Sequence, residues 1–290
     1  MTGAVLSNQR DVMIPSRPMA SSEQPDHRLI SGRLEIGKFS LYYETAGSGP
    51  ALVFLHGLGG NHLSWWQQVP YFMRWYRCVT LDQRSFGMSP DPDGLFNQAH
   101  GSDLARLLDH LKIEQAVLVG QSMGGWTIVG CALEHRDRIA GMVMADTPGG
   151  IFTPEMKYPA TRPALGGGTP AIGSLPTYAR DFYLRHRELA FLYDSLMISG
   201  ARPPADATTR LGATRHDLAR VKERLTMPIL CVAGEDDALI PAAMIETLAA
   251  WLPDGRFASV PHCGHSVYFE QAAVFNQLVR DFLIDIKYGK

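Results

Sequence analysis

Short unbroken apolar runs recur along this 290-residue chain, each bounded by turn-forming residues. Ala51-Leu-Val-Phe-Leu55, Cys78-Val-Thr-Leu81, Ala116-Val-Leu-Val119, Met142-Val-Met-Ala145 and Ile229-Leu-Cys-Val-Ala233 are of this kind, and Phe257–Val260 is a weaker sixth. A run without polar alternation suits a strand whose two faces are both covered. Upstream, Arg33–Ile36 and Phe39–Glu44 are shorter strand candidates separated by Gly37, a hairpin pattern, and Gly47-Ser-Gly-Pro50 is a turn. Between the runs the apolar spacing is helical, over His62–Phe72, Asn97–Leu111, Met123–His135 and Pro241–Leu252. Gln271–Ile286 predicts a final helix with Val274, Phe275, Leu278, Phe282 and Ile286 on one face. Strands alternating with helices predict an α/β protein with a mostly parallel, doubly covered β-sheet.

Two stretches break that rhythm. Residues 1–28 mix Ser, Pro, Gln, Asn and Asp with isolated apolar residues and show no sustained period, which predicts a disordered N-terminal tail. Residues 147–226 separate two core strands. Pro148, Pro154, Pro159, Pro163, Pro170 and Pro176 crowd the first part of that stretch, and short helical patterns follow from Thr177. Such an insertion reads as a helical lid (cap) over a pocket, leaving 29–146 and 227–290 as one core. The triplet Gly166-Gly-Gly168 neither follows a strand nor ends in Gly-Lys-Ser, so no phosphate role is assigned to it.

Composition narrows the function classes. Lys+Arg 27 against Asp+Glu 29 leaves a net charge of −2, without the basic surplus that nucleic acid or an anionic membrane would select. The four cysteines, at 78, 131, 231 and 263, are too scattered for a disulfide framework. No apolar run approaches the ~18 residues of a membrane span, and the N-terminus lacks a signal-peptide core. These features predict a cytoplasmic globular protein with no nucleic-acid or membrane partner, and they say nothing about its chemistry. They leave the oligomeric state open.

The chemistry is concentrated in three segments. Gly120-Gln121-Ser122-Met123-Gly124 is a G-x-S-x-G pattern standing directly between a predicted strand and a predicted helix. A serine on so tight a turn is pushed out of the sheet, at a helix N-terminus that favours developing negative charge. A serine nucleophile needs a base, and the base an orienting acid. Glu235, Asp236 and Asp237 lie just past one core strand, Asp146 ends another, and His262 and His265 follow the last.

With these motifs in this order, the chain from about Gly32 to the C-terminus resembles the α/β-hydrolase fold family. Gly234, Asp237 and Pro241 fit that family's G-x-x-D-x-x-x-P segment, and Gly264-His265 its G-H pair before an aromatic and acidic stretch. The resemblance therefore implies a triad of Ser122, Asp237 and His265, with Asp146 as the rival acid. It also implies that Leu55-His-Gly-Leu-Gly-Gly60 supplies an oxyanion hole from the backbone N–H groups of Leu58 and Met123. His56 is expected to brace that loop. Leu81-Asp-Gln-Arg-Ser-Phe-Gly-Met-Ser89 resembles the family's D-x-R-G-x-G-x-S segment, with Ser85 where glycine is usual and Asp82 and Arg84 expected to hold the loop together. Trp65, Trp126 and Tyr268 adjoin the motifs and are candidate substrate contacts.

The implied function is a carboxylesterase-type serine hydrolase that cleaves an ester or lactone of a small to medium apolar substrate through an acyl-enzyme. It needs no cofactor or metal. One alternative is a hydrolase of a carbon–carbon bond in a ring-fission diketone, although Ser266 replaces the tryptophan such relatives tend to place after the histidine. Another is a ligand receptor on the same scaffold. Cofactor-free peroxidase-like activity shares the triad, whereas a nucleophilic aspartate is excluded by Ser122.

Overall fold

In the computed structural model, residues 28–157 and 176–289 are described. The predicted tail up to residue 27, together with Pro159, Pro163, Pro170 and the glycine triplet, lies outside the described residues. The hairpin opens the fold as β1 (Leu29–Ile36) and β2 (Phe39–Ala46), which pair antiparallel across a tight turn in which Gly37 has φ +63°. The apolar runs become β3 (Ala51–Leu55), β4 (Arg77–Leu81), β5 (Ala116–Gln121), β6 (Ile139–Ala145), β7 (Ile229–Gly234) and β8 (Gly255–Val260). The core helices between and after them are α1 (Val69–Phe72), α2 (His100–His110) and α3 (Met123–Glu134). The stretch between β6 and β7 carries α4 (Phe182–Arg185), α5 (Arg187–Ile198), α6 (Ala207–Ala213) and α7 (Leu218–Arg224). The chain closes with α8 (Ala242–Trp251), α9 (Val267–Glu270) and α10 (Ala272–Asp285).

Among the described residues the strands form one eight-stranded sheet in the order β1-β2-β4-β3-β5-β6-β7-β8, and β3 through β8 all run parallel. The run patterns follow from this position. Along β3, Val53 and Leu55 enter one apolar cluster and Leu52 and Phe54 the other, so every residue of the strand is buried. Leu118 and its neighbours Val117 and Val119 divide in the same way on β5. The edge strand β8 is mostly half-buried, which is why its run was the weakest. Strand order reverses around β3, whose neighbours are β4 and β5, and ligand crevices in open α/β sheets form at such a switch point, outside the carboxyl ends of the strands.

Three helix expectations are corrected. The expected helix His62–Phe72 is instead a 3₁₀ turn over His62–Trp65, capped by Asn61, followed by α1. Pro70 explains the break, because proline lacks the N–H that a continuing helix needs and is accepted only in a first turn. The helix expected from Asn97 begins at His100, after a 3₁₀ turn in which Phe96 has φ +48°. On α10 and just beyond it, Phe275, Leu278, Phe282 and Ile286 pack against the core, but Val274 is exposed and Val279 and Leu283 are buried in its stead, so the apolar face is rotated from the expected one. Among the described residues no helix is long and apolar enough to cross a membrane.

Leu118 is fully buried at the centre of the sheet. Leu118→Ala should therefore cost about 3 kcal/mol through lost burial and the cavity left behind. Thermal unfolding would show this as a lower Tm, whereas an unchanged Tm would mean the central strand is not packed as described.

Candidate active site

Because β3, β5, β6, β7 and β8 are parallel, the loops that leave their carboxyl ends emerge along one edge of the sheet. The loop after β5 is the tightest. Ser122 joins β5 to α3 with φ +48° and ψ −117°, a conformation that non-glycine residues rarely adopt. The flanking glycines permit it. A Cβ on Gly124 would strike the carbonyl oxygen of Leu55, and one on Gly120 would come within 2.6 Å of the carbonyl oxygen of Gly124. The Ser122 N–H donates to the Ala145 carbonyl at 3.0 Å, and the Thr147 hydroxyl donates to the Ser122 carbonyl at 2.7 Å. Both neighbours belong to β6 and the loop after it, so the strained turn is held from the next strand.

The structure brings Ser122, His265 and Asp237 together. His265 Nε2 lies 2.8 Å from Ser122 Oγ, and His265 Nδ1 lies 2.7 Å from Asp237 Oδ2. Asp237 Oδ1 accepts from the N–H groups of Leu239 at 2.8 Å and Ile240 at 2.9 Å. One carboxylate oxygen thus fixes the acid's loop while the other faces the imidazole. The tautomer follows, with Nδ1–H donating to Asp237 and Nε2 free to accept from the serine hydroxyl. The His265 carbonyl accepts from Gln121 Nε2 at 2.7 Å, which ties the histidine loop to the residue before the serine. His265 is buried, and burial by itself disfavours an imidazolium. The Asp237 charge and hydrogen bond outweigh that effect and raise its pKa above 6.5.

A narrow cavity, partly open to solvent, lies over Ser122. Gly57, Leu58 and Gly60 line it from the loop after β3, Thr177, Tyr193 and Met197 from the stretch between β6 and β7, and Leu239 and Tyr268 from the acid and histidine loops. Among the described residues no lysine or arginine lines it. Leu58 has no protein acceptor for its N–H among the described residues. Met123 is the first residue of α3, a position whose N–H has no partner within the helix.

A family model described as the alpha/beta hydrolase fold matches residues 50–272. The chain belongs to the α/β-hydrolase fold family. It is 31% identical over 258 residues to the 2-hydroxymuconate semialdehyde hydrolase of Pseudomonas sp. (strain CF600), covering 83% of this chain and 89% of that one. A putative non-heme bromoperoxidase of Mycobacterium tuberculosis is 27% identical over 269 residues, covering 86% of this chain and 99% of the other. Among solved structures, a thermophilic esterase from Thermogutta terrifontis shares the fold, with a TM-score of 0.74 at 22% identity over 89% of this chain and 99% of that one.

The remaining family segments hold the loops in place. His56 Nδ1–H donates to the Gly57 carbonyl at 2.8 Å, and Nε2 accepts from the Gln83 N–H at 3.0 Å. Burial lowers its pKa to about 4, so it is a neutral brace. Asp82 accepts from the N–H groups of His62 and Met88, both at 2.7 Å. Arg84 forms a bidentate pair with Asp103, at 2.8 and 3.0 Å. Ser85, the departure from the family pattern, has φ +76° and directs its hydroxyl to Asp91 at 3.1 Å. The position keeps the left-handed backbone that glycine usually supplies.

Two expected substrate contacts are corrected. Trp65 is fully buried in the core, with ring centroids 5.1 Å from Phe54 and 4.6 Å from Tyr268. Its place in the capped 3₁₀ turn directs the indole inward under α9 and α10. Trp126 does not line the cavity either. It is half-buried against Phe152, with its indole N–H donating to the Thr214 carbonyl at 3.3 Å. Tyr268 does line the cavity. Sequence reasoning missed Gln121, although it stands inside the G-x-S-x-G pattern, and it also missed Thr177 and Met197, for which an irregular insertion offers no periodic signal.

Gly124→Ala should abolish activity and lower the yield of folded protein, because the added methyl meets backbone rather than a movable side chain. Thermal unfolding and hydrolysis of an aryl ester would test this together, and wild-type values in both would contradict the close approach of α3 to β3.

Proposed function

We propose that this protein is a serine hydrolase of the carboxylesterase type, cleaving esters or lactones of small to medium apolar substrates. The observation that carries the reading is the continuous relay Asp237–His265–Ser122, with hydrogen bonds of 2.7 and 2.8 Å beneath one cavity. His265 takes the Ser122 proton as Oγ attacks the carbonyl, and Asp237 stabilises the imidazolium that forms. The oxyanion is received by the N–H groups of Leu58 and Met123, a contribution of roughly 3–4 kcal/mol per donor. His265 returns its proton to the leaving alcohol, then activates a water that attacks the acyl-enzyme.

The stretch 147–226 acts as a lid in this reading, since Thr177, Tyr193 and Met197 form one wall of the cavity. Their apolar and hydroxyl character suits an uncharged substrate. The four buried, unpaired thiols suit a reducing, cytoplasmic setting. Similarity to a 2-hydroxymuconate semialdehyde hydrolase supports a second reading, hydrolysis of a carbon–carbon bond in a ring-fission diketone. Such substrates carry a carboxylate, and the absence of a cationic lining among the described residues favours the neutral ester.

A fluorophosphonate probe should label the protein, and Ser122→Ala should abolish labelling; persistent labelling would place the nucleophile elsewhere. Asp237→Asn should lower turnover by about four orders of magnitude. A panel of aryl esters, lactones and one ring-fission diketone separates the two readings, the diketone as the best substrate overturning the first. The base must be neutral to act, so kcat/KM should fall as the pH drops through a His265 pKa above 6.5. An acid limb centred well below 6.5 would show that the Asp237 charge does not control the imidazole.

A further inference from the structure

Asp146 ends β6 one residue after Ala145 and is fully buried. It is a carboxyl group that the proposed chemistry does not use. Its oxygens are divided between the two loops that carry the acid and the base. Oδ1 accepts from the Gly234 N–H at 3.0 Å, three residues before Asp237, and Oδ2 accepts from the Val267 N–H at 3.2 Å, two residues after His265. Its own N–H donates to the Val232 carbonyl at 2.8 Å, so its backbone is tied to β7 as well. The φ of +51° turns the chain sharply out of β6 and aims the side chain under both loops, in a conformation that aspartate and asparagine tolerate better than other non-glycine residues.

From this arrangement we infer that Asp146 is a positioning residue for the triad, a single side chain that sets the spacing between the acid loop and the histidine loop. The inference rests on the reading of Ser122, Asp237 and His265 as the catalytic triad. Asp146 makes no hydrogen bond to the imidazole among the described residues and acts only through the two backbone amides. A shape-conserving change therefore has a defined consequence. Asparagine keeps the left-handed backbone and one carbonyl acceptor, but its NH₂ group faces the other amide donor and cannot accept from it.

The carboxyl group also belongs to the electrostatic surroundings of the base. The titratable groups that face it are Asp237, His265, Cys263 and Tyr268, and Glu270 faces the His265 imidazole as well. Burial, and then the Asp237 charge, raise the pKa of Asp146 and favour its neutral form, so it acts on the triad through its hydrogen bonds and not through its charge. Loss of the two amide contacts should loosen the Asp237–His265 hydrogen bond that raises the His265 pKa, and so move the acid limb of the pH profile to lower pH.

The test compares wild-type protein with Asp146→Asn and Asp146→Ser, using aryl-ester kinetics normalised to folded protein. NMR titration of the His265 imidazole serves as a readout independent of turnover. The expected result is a fall of about tenfold or more in kcat, KM within about twofold, and a lower His265 titration midpoint in both variants. An unchanged kcat and midpoint in folded protein would overturn the assignment. So would failure of both variants to fold, which would make Asp146 a stability residue alone. Ser122→Ala and Asp237→Asn run alongside separate the two levels. If these remain active, the triad reading itself has failed, whereas inactive controls beside a normal Asp146→Asn overturn only the positioning role.

Discussion

The close approach of α3 to the end of β3 is the contact on which the site depends. Gly124 lies against the Leu55 carbonyl with no room for a methyl group, and Gly120 lies against Gly124 itself. Only this approach lets a helix begin directly at a strand end and hold Ser122 at φ +48°. Strain of this kind costs on the order of 1–3 kcal/mol and persists only where the surroundings over-determine it. Here β6 does so, through Ala145 and Thr147. The first turn of α3 then meets the backbone of Leu55 and His56, where the loop after β3 begins at the sheet's switch point.

The electrostatics are equally local. The imidazole of His265 is buried, which alone would disfavour its charged form, and the surrounding carboxyl groups, Asp237 foremost, reverse the sign of the shift. The other carboxyl groups nearby are occupied elsewhere. Asp146 accepts two backbone amides, and Glu270 accepts from Gly264 at 2.9 Å and Ala179 at 2.8 Å. Burial raises the pKa values of both. A single strong hydrogen bond therefore distinguishes Asp237 from the acids around it, and that bond depends on loop geometry more than on the residue's chemistry.

The parts of this arrangement that depend on period or punctuation were legible in the sequence. Continuous apolar runs identified the buried parallel strands because both faces are covered, and the weak run of β8 marked an edge. Gly120, Ser122 and Gly124 were legible because the tight turn admits few residue types. Trp65 and Trp126 were misread because adjacency in sequence says nothing of direction; a capped 3₁₀ turn sends one indole into the core and α3 sends the other toward Phe152. Thr177 and Met197 were invisible for the opposite reason. Their side of the cavity is built by an insertion whose helices are short and whose contacts are set by tertiary packing, not by an amphipathic repeat.

That insertion is bound to the histidine loop as closely as to the rest of the core. Gly264 has no room for a side chain because Tyr178 and Ala179 pack against it, the Ala179 N–H donates to Glu270, and the Tyr193 hydroxyl meets Ser266 Oγ at 2.9 Å. Glu270 also accepts from the amides of Gly264 and Ser266 on either side of His265. The segment that walls the cavity and the segment that carries the imidazole therefore share one carboxylate and one tight backbone contact. A rearrangement of the wall near Ala179 cannot leave the backbone around His265 untouched. In this molecule, the wall of the cavity and the position of the His265 imidazole are coupled by construction.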